Sequence, residues 1–134
     1  MPHTRFDIEV EQWLPDRGVE DSRSPPYTWY TSNEFFEREV GIIFQKSWLP
    51  VGRADQVENP GDYFTGELLG NPYVIVRGHD GVLYGHHNVC SHKGCVVANL
   101  QDETVHNTGD CFECQYHGWQ YHLDGKLKLS LIHI

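Results

Sequence analysis

The pattern of apolar and polar positions divides the chain near residue 47. Before it, Phe36, Val40, Ile43 and Phe44 recur at i, i+4, i+7 and i+8, the spacing of a helix face. Thr31 precedes Glu34 by three residues, as in a capping box, so the pattern predicts one helix from about Asn33 to Lys46 with that stripe buried. After Trp48 the period shortens to two. "WLPVGRADQV" and "DYFTGELL" flank the turn composition "ENPGD", "YVIVRG" and "VLYGHHN" flank "HDG", and "WQYHL" and "KLKL" bracket Asp124 and Gly125. These segments read as short strands, the last two pairs as hairpins. Residues 1–26 are polar and acidic and end in "SRSPP", which cannot continue a regular element, so a flexible acidic arm is expected there. The expected fold class is mostly β, with antiparallel sheets preceded by one N-terminal helix.

Composition narrows the functions open to such a fold. A chain of 134 residues can bury one modest core. Its formal charge of −9 argues against binding a nucleic-acid backbone or an anionic membrane face, both of which call for Lys and Arg clusters. No stretch approaches the roughly eighteen apolar residues of a membrane helix. The first residues lack the apolar run of a signal peptide and carry acids that organelle leaders avoid, so a soluble protein in the reducing cytoplasm is expected. In that setting, clustered Cys and His point to metal rather than to disulfides.

The chemistry lies between Cys90 and His117. "NVCSHKGC" sets Cys90 and His92 two apart, and "CQYHGW" sets Cys114 and His117 three apart. Each loop thus offers one thiolate and one imidazole. A [2Fe-2S] cluster held by two Cys on one iron and two His on the other needs this supply, which makes Cys90, His92, Cys114 and His117 the candidate ligands. Two thiolates leave the oxidised cluster formally neutral, where four would leave it negative, so the mixed set raises the potential. Gly94 and Gly118, just beyond the His positions, are expected to let backbone N–H groups approach the sulfides.

The competing reading is a tetrahedral zinc site built from Cys111, Cys114 and His117 with Cys95 or Cys90. Zinc leaves the Gly-Trp after His117 and the Cys90-x-His92 pair without purpose, so the cluster is preferred. Cys111 is then a strand residue and Cys95 a small buried side chain beside the cluster. Tyr116 and Trp119 are expected to shield the cluster, and Trp29 and Trp48 to be core. His3, His79, His106 and His122 read as isolated. His86 and His87 stand before the first loop, where packing and support of a ligand are both open.

The pair C-x-H and C-x-x-H-G-W resembles the Rieske iron–sulfur motif. Beyond the ligands, "PPYTWYTSNEFFEREVGIIFQKSWLPVGRADQV", "GDYFTG", "YVIVRGHDGVLYGHHNVCSH" and "LDGKL" are similar to the start of Rieske non-haem iron (ring-hydroxylating type) oxygenase alpha subunits, over roughly residues 25 to 128. "DYFTG" and "HNVCSH" are most like the choline monooxygenases. Two features depart from the pattern. Residues 93–113 are a few more than most members carry between the motif halves, the surplus falling in the polar "NLQDETVHNTGD". Tyr116 stands where respiratory-chain Rieske proteins carry the disulfide partner of the residue at position 95, so that bond cannot form and a lower-potential, oxygenase-type cluster is implied.

The resemblance implies an electron-transfer domain. A ferredoxin or reductase would supply electrons, and the cluster would pass them to a mononuclear Fe(II) in a C-terminal domain absent from these residues, for oxidation of a substrate such as choline. The fragment alone would not be competent, and the full-length protein would form a homotrimer or other homo-oligomer. The alternative is a stand-alone Rieske ferredoxin, but a bare carrier would start near Trp48, so the lead-in from Tyr27 favours the enzyme. The implied organisation is an arm over 1–26, a helical lead-in over 27–47, the Rieske domain over 48–128 and a tail over 129–134. The tail "LSLIHI" matches the in-frame translation of a transposase adapter used in sequencing libraries; an adapter origin is preferred to a genuine C-terminal strand, though "KLKLSLIHI" alternates, and the natural chain is then expected to continue past about Lys128.

Overall fold

The computed structural model of the chain describes residues 4–13, 18–98 and 104–130, in two units, Met1–Leu49 and Pro50–Ile134. His3, parts of the N-terminal arm, residues 99–103 of the long loop and residues 131–134 of the tail lie outside the described residues.

In the first unit the arm contains a helix, contrary to the expectation for residues 1–26. α1 spans Arg5–Gln12 and opens on a capping box: Asp7 N–H donates to Thr4 Oγ1 at 3.3 Å, while the Asp7 carboxylate accepts the Thr4 N–H at 2.7 Å. Eight residues are too few to hold a helix in water alone. Tertiary contacts supply the rest. Arg38 pairs with Asp7 and donates to Thr4 Oγ1 at 2.9 Å, Thr28 donates to Glu9 at 3.0 Å, and Phe6 is buried against Phe35 with ring centroids 5.6 Å apart. The Arg38 guanidinium holds the Asp7 carboxyl far below the ordinary carboxylate range. Acidic composition had suggested a solvated arm, whereas this acid caps a helix and pairs with a residue distant in sequence.

Two further helices follow, α2 over Tyr27–Thr31 and α3 over Asn33–Ile42, so the lead-in holds two α-helices where one was expected. Thr31 ends α2, and Ser32 caps α3 by accepting the Phe35 N–H at 3.3 Å. α3 stops at Ile42, and a 3-10 turn over Phe44–Lys46 replaces its last turn. The expected stripe is not buried, Phe36 being 53% and Ile43 50% exposed. Phe35 is the packing residue instead: it stacks on Trp29 at 4.9 Å, and Trp29 meets Trp13 edge-on at 5.5 Å. Trp48, expected in the core, is fully exposed.

The second unit is built from two antiparallel sheets, as the alternating pattern predicts. The larger has the order β3-β2-β1-β4, from β1 (Asp62–Leu68), β2 (Asn71–Arg77), β3 (Leu83–His87) and β4 (His106–Asn107). Leu69 and Gly70 join β1 to β2 with φ of 53° and 77°, the primed geometry that matches strand twist. The smaller sheet runs β5 (Cys111–Glu113), β6 (Gln120–His122), β7 (Leu127–Leu129). Leu129, assigned to the tail, pairs with Gln120. Both sheets feed one core of Val74, Val76, Ala98, Phe112 and Leu123, and His86 Nε2 joins them at 2.9 Å from the Leu123 carbonyl.

"WLPVGRADQV" is not a strand. It carries a 3-10 turn over Ala54–Gln56, because the Arg77 side chain, rather than a neighbouring strand, satisfies its backbone. Arg77 donates to the carbonyls of Val57 at 2.9 Å and Ala54 at 3.0 Å. Among the described residues no helix is long and apolar enough to cross a membrane.

Candidate metal centre

The candidate ligands lie on two loops that leave the two sheets. The first follows β3 and the second joins β5 to β6. Their backbones close identically although their His positions differ. In the first, Cys90 N–H donates to the Cys95 carbonyl at 2.7 Å and Gly94 N–H to the Cys90 carbonyl at 2.9 Å; in the second, Cys114 N–H donates to Trp119 at 2.8 Å and Gly118 N–H to Cys114 at 2.9 Å. Gly94 and Gly118 hold φ of 71° and 64°, a region costly for any residue with a Cβ. Their own N–H groups close the loops.

This closure brings like donors together. Cys90 and Cys114 are each only 2% exposed, and the Cys114 thiol stands near enough to the Cys90 sulfur to help lower its pKa. The His92 and His117 rings stand 4.7 Å apart between centroids. Trp119 stacks on His92 at 4.8 Å and is half-buried, while Tyr116 packs on His117 at 3.8 Å but remains largely exposed, so only Trp119 is placed to exclude water. Among the described residues, no three His, Cys, Asp or Glu side chains converge on a single ion. Cys111 lies in β5 opposite His122, and Cys95 is half-buried rather than buried. All four cysteines are free.

At Cys90 and His92 the environment favours the ligating protonation states. Burial raises the Cys90 thiol, but the Tyr121 hydroxyl, the backbone of His92, the Cys114 thiol and the backbone of Lys93 together bring it below its ordinary value. Burial first, then the neighbouring charges of His117 and Lys93, lower His92, which keeps it neutral. The thiolate and the neutral imidazole are the forms that bind metal.

Tyr121 is the residue that sequence reasoning missed. From β6 it reaches the other loop: its hydroxyl accepts the Ser91 N–H at 3.1 Å and lies 3.1 Å from Cys90 Sγ and 3.2 Å from Ser91 Oγ. Thirty positions separate Tyr121 from Ser91, and no spacing rule connects them. The other histidines are placed elsewhere. His79 pairs with Asp110 at 3.2 Å, His106 meets Thr104 Oγ1 at 3.1 Å, His122 and His87 are exposed, and His86 packs on Tyr84 as well as meeting Leu123.

The donor set therefore fits a group that takes two sulfurs on one side and two imidazole nitrogens on the other. The buried Trp119 indole N–H, beside the His92 ring, has no acceptor among the described residues, which is compatible with a further acceptor at this site.

The chain is similar to known proteins. The chain is 37% identical over 118 residues to "Choline monooxygenase, chloroplastic" of Spinacia oleracea, covering 88% of this chain and 26% of the relative. It is 36% identical over 102 residues to the carnitine monooxygenase oxygenase subunit of Escherichia coli (strain K12), covering 76% of this chain and 26% of that protein. The chain thus spans about a quarter of the length of these curated relatives. Among solved structures, a quaternary ammonium Rieske monooxygenase in complex with L-carnitine superposes with a TM-score of 0.72 at 36% identity, covering 80% of this chain and 29% of that one. A naphthalene 1,2-dioxygenase mutant gives 0.71 at 28% identity, covering 81% and 24%. Residues 47–130, more than half of the chain, match the family pattern of the Rieske [2Fe-2S] domain, and with the paired thiols and paired imidazoles in place the chain belongs to that family.

Proposed function

We propose that Cys90 and Cys114 ligate one iron, and His92 and His117 the other, of a [2Fe-2S] cluster, and that the chain is the electron-transfer domain of an oxygenase alpha subunit. The observation that carries the reading is the pairing of like with like: thiol beside thiol and imidazole beside imidazole, from two loops of matching backbone. When bound, such a cluster takes up and releases one electron at a time. The chain's own residues then have separate tasks. Buried Cys90 and Cys114 keep water from the thiolates, Tyr121 holds the first loop against the second, and the exposed His117 offers a short route to a partner at the surface.

The partners follow from the same reading: a ferredoxin or reductase as donor, and as acceptor a mononuclear Fe(II) outside these residues, with the alpha subunits assembled as a homotrimer or other homo-oligomer. The choline- and carnitine-oxidising relatives support a quaternary ammonium substrate, with choline the first to test. Thiolate ligation fits a reducing compartment such as the cytoplasm. On this reading residues 1–134 by themselves do not oxidise substrate.

The test is spectroscopic. Chain purified without oxygen and reduced with dithionite is expected to carry about two irons and to give the electron paramagnetic resonance signal of a mixed-ligand cluster. His92→Cys or His117→Cys should alter that signal. An unchanged signal would remove these residues from the ligand set.

A further inference from the structure

Asn88 is a wholly buried polar side chain two residues before the first candidate ligand. Its Oδ1 accepts the N–H groups of Val97 at 3.2 Å and Ala98 at 2.8 Å, and its Nδ2 donates to the Ala98 carbonyl at 2.8 Å. Its own N–H donates to the Pro72 carbonyl on β2 at 2.9 Å. One carboxamide therefore ties the two ends of segment 88–98, inside which lie Cys90, His92 and Gly94, while Ala98 is itself part of the core.

The second loop is closed differently. Its ends are held by the β5–β6 ladder, Glu113 pairing with Gln120 immediately outside Cys114 and Trp119. The first loop has no such ladder: β3 ends at His87, and among the described residues the next strand begins at His106. The inner circuits of the two loops match, so the device that fixes their ends is where they differ.

We infer that Asn88 is a positioning residue for the cluster, its carboxamide replacing the strand pair that the first loop lacks and so setting where Cys90 and His92 stand. The inference rests on the ligand assignment proposed above. Because Asn88 is wholly buried, truncating it takes the present partners from two N–H groups and one carbonyl, which loosens both ends of the loop.

Native-state hydrogen exchange on the 134-residue chain tests this with or without a cluster. In the wild-type protein the amides of Cys90, Gly94, Val97 and Ala98 should open as one unit. Opening of Val97 and Ala98 without Cys90 and Gly94 would overturn the inference, and this comparison needs no variant. In Asn88→Ala those amides should exchange about tenfold faster or more, with Cys114 and Gly118 held within about twofold of wild type. Val76→Ala, a core truncation on β2, should affect both loops alike. In cluster-loaded protein, Asn88→Ala should shift the midpoint potential and the resonance signal while Val76→Ala leaves both unchanged. Equal acceleration of both loops in Asn88→Ala, or unchanged spectra, would make Asn88 an ordinary core residue. Wild-type chain that binds no cluster would defeat the ligand assignment instead, and the exchange comparison would still decide whether Asn88 holds the loop.

Discussion

The two ligand loops reach the same backbone circuit by different means. In the second, a hairpin holds the ends, and its sequence is local: Glu113, Cys114, Trp119 and Gln120 lie within eight positions. In the first, closure depends on a side chain and on a tyrosine from the other loop's strand. A hairpin fixes its loop through ladder bonds set by register, whereas a side-chain clamp fixes it through one buried group whose loss is not shared out. The first loop is thus the one whose geometry the rest of the fold controls.

That contrast can be broken most strongly at Phe112, which is buried in β5 two residues before Cys114 and meets Tyr63 edge-on at 5.3 Å. Phe112→Ala should lower unfolding free energy by about 3–5 kcal/mol in a urea titration. Exchange protection should fall at Cys114 and Gly118, showing the hairpin loop to be only as firm as its core. Tyr121→Phe tests the bridge between the loops. It removes a donor near the Cys90 sulfur, and because such bonds favour the reduced, more negative cluster, the potential should fall. Loss of about 1.5 kcal/mol corresponds to about 65 mV for a one-electron couple, read by redox titration. The smallest effect sharpens the likeness of the loops: Gly94→Ala and Gly118→Ala should each cost about 1 kcal/mol and match each other, since both glycines sit at the same positive φ and close the same circuit. A clear inequality between them would mean that the circuits are not equivalent.

Legibility followed the distance over which each feature is decided. The hairpins from β2 to β3 and from β6 to β7 were visible because alternation and turn residues are local. The supply of two Cys and two His in two loops was visible for the same reason. The helical lead-in was read less well. Periodicity chose Phe36 and Ile43 as packing residues, while the rings that meet are Phe6 of α1, Trp13 just after it, Trp29 of α2 and Phe35 of α3. The acids of the arm were read as solvated because composition cannot show that Asp7 has Arg38 as a partner. "WLPVGRADQV" alternates like a strand, yet Arg77 satisfies its carbonyls, and no local pattern records that.

The sequence by itself determined the chemistry on offer, because donor types and their spacings are covalent facts: one thiol and one imidazole per loop, each loop with a glycine to turn it. Tertiary structure alone decided how those donors are shared. It set thiol against thiol and imidazole against imidazole, and it placed Tyr121 and Asn88 against the first loop. Those contacts join residues nine to thirty-one positions apart, where only the packing of two sheets on one core brings them within hydrogen-bonding reach.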